Sequence, residues 1–318
     1  MSLVSIIIVN WNGAEVLPEC LRSLLGLNHK DIEIVVVDNA STDGSVAVVR
    51  KICSGAKVVR LEKNVGFAAG VNIGFENAAG EFIATLNNDM VAEPSWLDMP
   101  LMLLEDGTVG IVSCRQMNYY DRTKVDGLYH YITKDLVFMP FAEGSAYQDG
   151  GLLSKSGYVI SANGGSAVIR AGVFRALGGY DANFFGYMEE TDFCMRAFLR
   201  GWRCVYAPDA VVYHMNGFSF KKIGGHQFYL LARNRVWFLY KNIPIKDILK
   251  RLPYILSNEW HTFKESFSKP KSPSLYFKAK WDALCGLWSY RGIRRENAAL
   301  FKAKRNDYYG FERNKIFN

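Results

Sequence analysis

At 318 residues, 49% apolar and 22% charged, the chain has an ordinary globular composition and the length for one large domain or two modest ones. Disordered, collagen-like and low-complexity classes are excluded, and no internal repeat is visible. The net charge of +7 is segregated, with 21 Lys/Arg against 7 Asp/Glu in residues 221–318 and 17 against 24 before them. A basic C-terminal third is expected to meet something anionic, either membrane or nucleic acid.

In chain order, residues 5–9, 32–37, 58–61 and 82–86 read as short buried strands. Between them, 14–25, 45–53 and 67–78 read as helices. This alternation predicts an α/β domain with a mainly parallel sheet covered on both faces. Residues 113–158, rich in Tyr, Gly and Asp and weakly periodic, read as loops and a mobile lid. From Gly164 the pattern sharpens: a strand at 167–170, a helix from Ala171, a turn at Gly178-Gly179, a helix at 191–199. A strand at 203–206 is expected to end at Pro208, and 210–213 is again strand-like. Beyond Gly225 the chain is aromatic, basic and helical in pattern, which divides it into segments 1–225 and 226–318.

Ligands on such sheets bind beyond the carboxyl ends of the strands. The residues there are unusually polar: Asn10, Trp11, Asn12 and Gly13, then Asp38, Asn39 and Ala40, then Asn87, Asn88 and Asp89. Asp38 is placed to bind the ribose of a dinucleotide, to bind another ligand, or to open a turn. The dinucleotide reading needs a glycine-rich turn after the first strand, and the segment from Asn10 to Glu15 lacks two of its three glycines. No P-loop is present. Ligand binding is favoured for Asp38, and helix capping for Asp43. Asn87-Asn88-Asp89 sits where a hard cation bridging a diphosphate needs few protein oxygens, although such clusters are more often turns.

Glu189, Glu190 and Asp192 form the densest acidic cluster in an apolar context. Acids at a helix start are favoured by its dipole alone. Yet three carboxylates among apolar groups should raise at least one pKa, which suits a general base. Asp192 and Arg196, at i and i+4, are expected to pair structurally. A lone His214 after a strand is more often structural than a ligand. The six scattered cysteines lack a CxxC pair, favouring free thiols over a disulfide framework or zinc site. With no signal-like or membrane-spanning apolar run, the expectation is a cytoplasmic protein.

Together these segments resemble the family 2 glycosyltransferases of the GT-A fold, particularly the rhamnosyltransferase-like branch. The carriers are VSIIIVNWNG (4–13), VVVDNASTDGS (35–45), NVGFAAGVNIG (64–74), LNNDM (86–90) and GGYDANFFGYMEETDFCMR (178–196). The resemblance implies inverting transfer from a nucleoside diphosphate sugar. Asp38 would contact the base with Asn10 and Asn12 nearby. Asn64, Asn72 and Asn88 would line the nucleotide, and Gly66 and Gly70 would admit close backbone. Asp89 would match the second acid of a DxD triplet holding Mg²⁺ or Mn²⁺, with His214 as a further ligand. Glu190 would be the base and Glu189 the runner-up, with an acceptor-binding role. The sequence departs from the pattern at Asn87, Glu190 and Ala182, where acids, Asp and an acid are commoner. Those departures keep open a catalytically degenerate binding or scaffold subunit.

The implied partners are a UDP- or dTDP-sugar, dTDP-rhamnose among them, and a saccharide or polyprenyl-linked acceptor in cell-surface polysaccharide synthesis. Basic and aromatic residues alternate in 226–318, which predicts peripheral binding to anionic membrane. A packed helical cap with a solvated basic face is the alternative. Nucleic acid is not expected, for want of a recognisable module. Arg233 and Arg235 are the expected holders of an acceptor or donor phosphate.

Overall fold

A computed structural model describes residues 2–215, 225–268 and 270–313. Four apolar runs become β1 (Val4–Asn10), β2 (Ile32–Asp38), β3 (Lys57–Arg60) and β4 (Phe82–Thr85). They alternate with α1 (Leu17–Leu25), α2 (Ser45–Ile52) and α3 (Gly66–Glu76). There follow β5 (Met90–Ala92), α4 (Asp98–Leu103), β6 (Val109–Asn118), β7 (Val125–Gly127), β8 (His130–Ile132), β9 (Phe138–Pro140) and β10 (Gly157–Val159). The remainder is β11 (Val168–Arg170), α5 (Ala171–Ala176), α6 (Glu189–Leu199), β12 (Arg203–His214), α7 (His226–Asn242), α8 (Ile245–Glu265), α9 (Pro273–Gly286) and α10 (Arg291–Arg313).

The main sheet has the order β10-β12-β6-β11-β4-β1-β2-β3, with β5 beside β12 and β7 beside β6. Strands β1, β2, β3 and β4 are parallel, and β6 and β12 are parallel to each other. Because β11 lies antiparallel to both β4 and β6, all six of those strands share one direction. Their carboxyl ends therefore form one edge. Along β1, Ile6 and Ile8 face a core with Leu17, Leu21 and Trp96, while Ile7 faces Val71, Phe174 and Phe193. The two-residue period of the pleat puts a core on each face. A third cluster joins Phe184, Met195 and Leu199 to Trp237, Phe238, Phe301 and Tyr308 of the C-terminal helices.

Residues 113–158 hold the end of β6, the short strands β7 to β9 and the start of β10 between stretches of loop, so the loop expectation holds only in part. Strand β6 is central and buried, but its polar residues mask it: Ser113 Oγ donates to the Leu128 carbonyl (2.7 Å) and Gln116 Nε2 to Ser166 Oγ (2.9 Å). The three-residue strands that follow are too short to show a period. They are packed rather than lid-like, with Tyr129 fully buried and stacked on Phe141 at 4.9 Å. The strand expected to stop at Pro208 also continues to His214. Its register against β6 shifts between Ala207 and Val211, an irregularity that accommodates a residue lacking an N–H. Among the described residues no helix is long and apolar enough to cross a membrane.

Candidate active site

The shared carboxyl edge gathers the first group of polar side chains. Asn10 and Asp38 end β1 and β2 in register with each other. Asn12, in a left-handed conformation, accepts from the Thr42 amide (2.8 Å), and its own amide donates to Ser41 Oγ (2.9 Å). Asn88 Nδ2 donates to Asn10 Oδ1 (2.8 Å). Asp43 accepts from the amides of Ala14 and Ser45, so it braces the two loops around the start of α2.

Asp38 differs from these neighbours. It is 1% exposed, and neither carboxylate oxygen has a hydrogen-bond partner. The Arg60 Nε lies 3.8 Å away on a largely exposed side chain. A buried carboxylate with two unfilled acceptors carries a desolvation cost that a donor such as a nucleobase imide would relieve.

Asn64, Asn72, Gly66 and Gly70 are tied into the junctions around α3. Asn64 Oδ1 accepts from Asn39 Nδ2 (2.9 Å) and from the Gly66 amide (2.9 Å). Asn39, which also accepts from the Val65 amide, is the hub of this junction. Asn72 uses both ends of its amide on Tyr180, donating to the carbonyl at 2.7 Å and accepting from the amide at 2.9 Å. A Cβ on Gly66 (φ 87°) would strike Phe185, and one on Gly70 would lie 2.8 Å from Val9 Cγ1. Close packing of α3 against β1 and the 185 loop accounts for both glycines.

Asp89, just after β4, faces His214 at the end of β12, with Oδ1 and Nε2 3.5 Å apart. Behind the ring, His214 Nδ1 donates to Asp126 Oδ2 (2.6 Å). Burial alone would lower the His214 pKa, but the hydrogen bonds to Asp126 and Asp89 outweigh it and push it up to about 9. Asp126 lies in the stretch that sequence patterning reads as loop, which is why it escapes notice there. A carboxylate behind an imidazole that faces a second carboxylate is the arrangement that orients metal-ligating histidines. One hard oxygen and one nitrogen fit a divalent cation whose other positions are filled by diphosphate and water. Among the described residues no group of three or more His, Cys, Asp or Glu could hold a metal by itself.

The acid cluster opens α6, two residues earlier than its pattern predicts. Before it, Phe185, Tyr187 and Met188 all have positive φ (65°, 67° and 72°), a costly run for residues with side chains. The run is clamped from α7, where the fully buried Asn234 Nδ2 donates to the carbonyls of Phe184, Gly186 and Tyr187 at 2.8–3.0 Å. Arg233 adds bonds to the carbonyls of Asn183 and Phe184. Arg235 is 7% exposed and engaged by Asn258 and the Asp135 carbonyl. Of the two arginines expected to hold a phosphate, Arg235 is engaged inside the protein, which corrects that role for it, while Arg233 is only half-buried.

The three acids have three environments. Asp192 is fully buried among Arg196 Nε (2.7 Å), Lys241 Nζ (2.9 Å) and Asn242 Nδ2 (2.8 Å). Its burial, which raises the pKa, is outweighed by Arg196 and Lys241, so the carboxyl lies below its usual value. The expected pair with Arg196 is present. Glu189 is also buried, with Oε2 unpartnered. Burial first and the charge of Glu190 second push its carboxyl well above the usual carboxylate range. Glu190 is the partly exposed one. Its stem packs where a Cβ on Gly164 would meet it at 2.8 Å, and its Oε1 lies 3.9 Å from His130 Nδ1. Burial, then the charges of Glu189 and Asp89, push the Tyr187 phenol up to about 12. The Glu190 stem meets Gly164, and the Gly165 carbonyl accepts from the Asn87 amide, which sets the acid cluster beside the loop after β4. His130 has no local motif that marks it, and Tyr187 lies inside the 178–196 segment with no role implied for it there.

A six-stranded parallel core with one polar carboxyl edge and acids brought in by a later helix defines a GT-A-like α/β fold with a C-terminal helical extension. The profile of Glycosyl transferase family 2 matches residues 5–177. The chain belongs to that family. Among curated relatives, an uncharacterized glycosyltransferase of Haemophilus influenzae is 28% identical over 106 residues, 32% of this chain and 33% of its own length. One from Nostoc sp. is 39% identical over 94 residues, 29% of each chain. The matched stretch thus spans about a third of those relatives. Among solved structures, mannosyltransferase PcManGT from Pyrobaculum calidifontis, with GDP-Man and Mn²⁺, superposes with TM-score 0.57 at 19% identity, covering 95% of this chain and 86% of that one. S. aureus TarS 1–349 with UDP-GlcNAc gives TM-score 0.59 at 17% identity, covering 98% and 89%. At those identities the likeness speaks for the fold alone.

Proposed function

We propose that this chain is an inverting glycosyltransferase that moves a sugar from a UDP- or dTDP-linked donor to a saccharide or polyprenyl-linked acceptor. Its setting in this reading is cell-surface polysaccharide synthesis at the cytoplasmic face of the membrane. The resemblance to the rhamnosyltransferase-like branch makes dTDP-rhamnose the first donor to try. Residues 1–225 are the catalytic unit and 226–318 the acceptor- and membrane-facing extension. The observation that carries the reading is Asp38 and the Asp89–His214 pair at the carboxyl edge, with Glu190 packed on Gly164 beside the loop that holds Asn87.

Asp38 accepts from the base, with Asn10, Asn12 and Asn88 bracing its loop from β1 and β4. Asn64, Asn72 and Gly66 act on the nucleotide through the loops they hold. Asp89 and His214 are the residues to hold Mg²⁺ or Mn²⁺, which supplies Lewis-acid neutralisation of the departing diphosphate. Glu190, the less buried member of its pair, takes the proton of the acceptor hydroxyl. The hydroxyl oxygen bonds to the anomeric carbon from the face opposite the leaving group, and the carbon–phosphate oxygen bond breaks. Glu189, whose carboxyl burial pushes upward, binds the acceptor beside it.

Asn87 in place of an acid supports the second reading, a degenerate binding or scaffold subunit, because it removes one metal-binding carboxylate. Both readings share nucleotide binding, so that is tested first. In titration calorimetry, UDP or dTDP is expected to bind the wild-type chain, and Asp38→Ala is expected to weaken binding about tenfold or more at unchanged melting temperature. Equal affinity in the two proteins removes Asp38 from the site.

A further inference from the structure

Helix α8 is amphipathic the wrong way round for a helix covered on one side by protein and on the other by water. Of its 21 residues only Asp247 and Ile255 are buried. The side turned to the body is polar. Asp247 is bound by Arg305 and by Tyr309 Oη (2.6 Å), Asn258 by Arg235, and Glu259 by Lys280 Nζ (2.7 Å) and Tyr276 Oη (3.0 Å). The side turned away carries Ile245, Leu249, Leu252, Leu256 and Trp260, each exposed, and exposed Phe267 follows just past the helix end. At 100° per residue the five helical residues fall within an arc of about 80°.

Helix α9 repeats the pattern. Ala279 and Ala283 are buried, while Phe277, Trp281, Leu284 and then Trp288 are exposed at the same i, i+4, i+7, i+11 spacing. The two stripes adjoin: Phe263 of α8 contacts Phe277 of α9 with ring centroids 5.8 Å apart, and Trp260 and Phe267 flank Phe263 at 5.7 and 5.3 Å. An apolar face of this kind on two helices marks an interaction surface.

We propose that the joined outer faces of α8 and α9 are a docking surface for an anionic lipid bilayer. This deepens the reading of a membrane-facing extension given above, by naming the surface. Two observations choose bilayer over protein. First, Trp260, Trp281 and Trp288 are 58%, 69% and 70% exposed, and tryptophan at that exposure suits the headgroup boundary, where an apolar ring with one polar N–H is at home. Second, the stripes are edged by exposed Lys246, Lys250, Lys264, Lys278 and Arg291, with Lys264 against Trp260 and Arg291 against Trp288. Pairing the face with a second copy of itself would set lysine against lysine. Anionic headgroups accept those cations while the rings and leucines enter the acyl boundary.

The test is flotation of the full chain with vesicles of phosphatidylcholine alone or mixed with phosphatidylglycerol. The mixed vesicles are expected to carry the protein upward, and neutral vesicles far less. Leu249→Glu/Leu256→Glu should lower that partition by about tenfold or more, with unchanged circular dichroism and melting, because both leucines are exposed. Five of the six cysteines are buried and Cys285, next to Leu284, is exposed, so a solvatochromic dye can be placed on the face. Its emission should shift to the blue on anionic vesicles. Equal flotation of wild-type and variant, or no flotation with either lipid, overturns the proposal. So does a wild-type dimer in sedimentation that the same variant dissociates without any change in flotation. None of these readouts uses sugar transfer, so they fail or succeed apart from the catalytic reading.

Discussion

Glu190→Gln is expected to leave nucleoside diphosphate binding in place and to lower turnover by at least about 10²-fold. Glutamine keeps the length and packing against Gly164 while removing the carboxylate of the less buried member of the pair. Glu189→Gln should behave oppositely. Burial and the charge of Glu190 push the Glu189 carboxyl upward, toward the neutral form that the amide resembles, and turnover should stay within a few-fold. Single-turnover rates with each variant, alongside calorimetric nucleotide affinity, check this. Normal turnover in Glu190→Gln with a dead Glu189→Gln transfers the role to Glu189. Normal turnover in both makes the cluster structural and ends the mechanism.

Asp192→Asn should be costly for the fold, by about 3–5 kcal/mol, since removing one partner of a buried ion pair leaves its cation uncompensated. Asp192 joins α6 to α7 through Lys241 and Asn242 and also holds Arg196, whose Nη1 and Nη2 donate to the carbonyls of Leu177 and Gly179. Lys241 retains Asp181 at 2.7 Å, but Arg196 has no second carboxylate among its contacts. Urea unfolding at neutral pH measures the loss, and a change below about 1 kcal/mol would contradict it. The pH dependence has a definite sign. A carboxyl whose pKa is lowered by folding contributes stability above its unfolded value of about 3.9, and that contribution disappears as the pH falls through the folded value. The gap between wild-type and Asp192→Asn should therefore be constant down to about pH 4 and narrow below it.

The first four strands and their helices were legible because each is a buried apolar run or a 3.6-period face ended by polar turn residues. The same runs place Asn10, Asp38 and Asp89 at one edge. Residues 113–158 were not legible, because β6 buries polar side chains whose partners, Leu128 and Ser166, lie far off in sequence, and because the strands after it hold three residues each. Helix α6 hid its first turn behind the left-handed run at Phe185, Tyr187 and Met188, which depends on Asn234 some fifty residues later. The i, i+4 pairing of Asp192 with Arg196 is local and could be read, whereas Lys241 on the same carboxylate is not. Asn64 and Asn72 are polar residues in motif positions, and nothing in the chain order says that their amides hold loops together. Asp126 and His130 come from the segment that pattern leaves blank, yet Asp126 is bonded by His214 and His130 lies 3.9 Å from Glu190.

The central claim is that the cleft cleaves and transfers from a nucleoside diphosphate sugar with the help of a cation. The most direct measurement is release of nucleoside diphosphate from a panel of UDP- and dTDP-sugars, dTDP-rhamnose included, with saccharide or polyprenyl-linked acceptor and Mn²⁺ or Mg²⁺. At least one donor is expected to release its diphosphate, with EDTA abolishing the release and Asp89→Ala lowering it by about 10²-fold or more. Full release in excess EDTA, or no release from any donor that calorimetry shows to bind, would contradict the account.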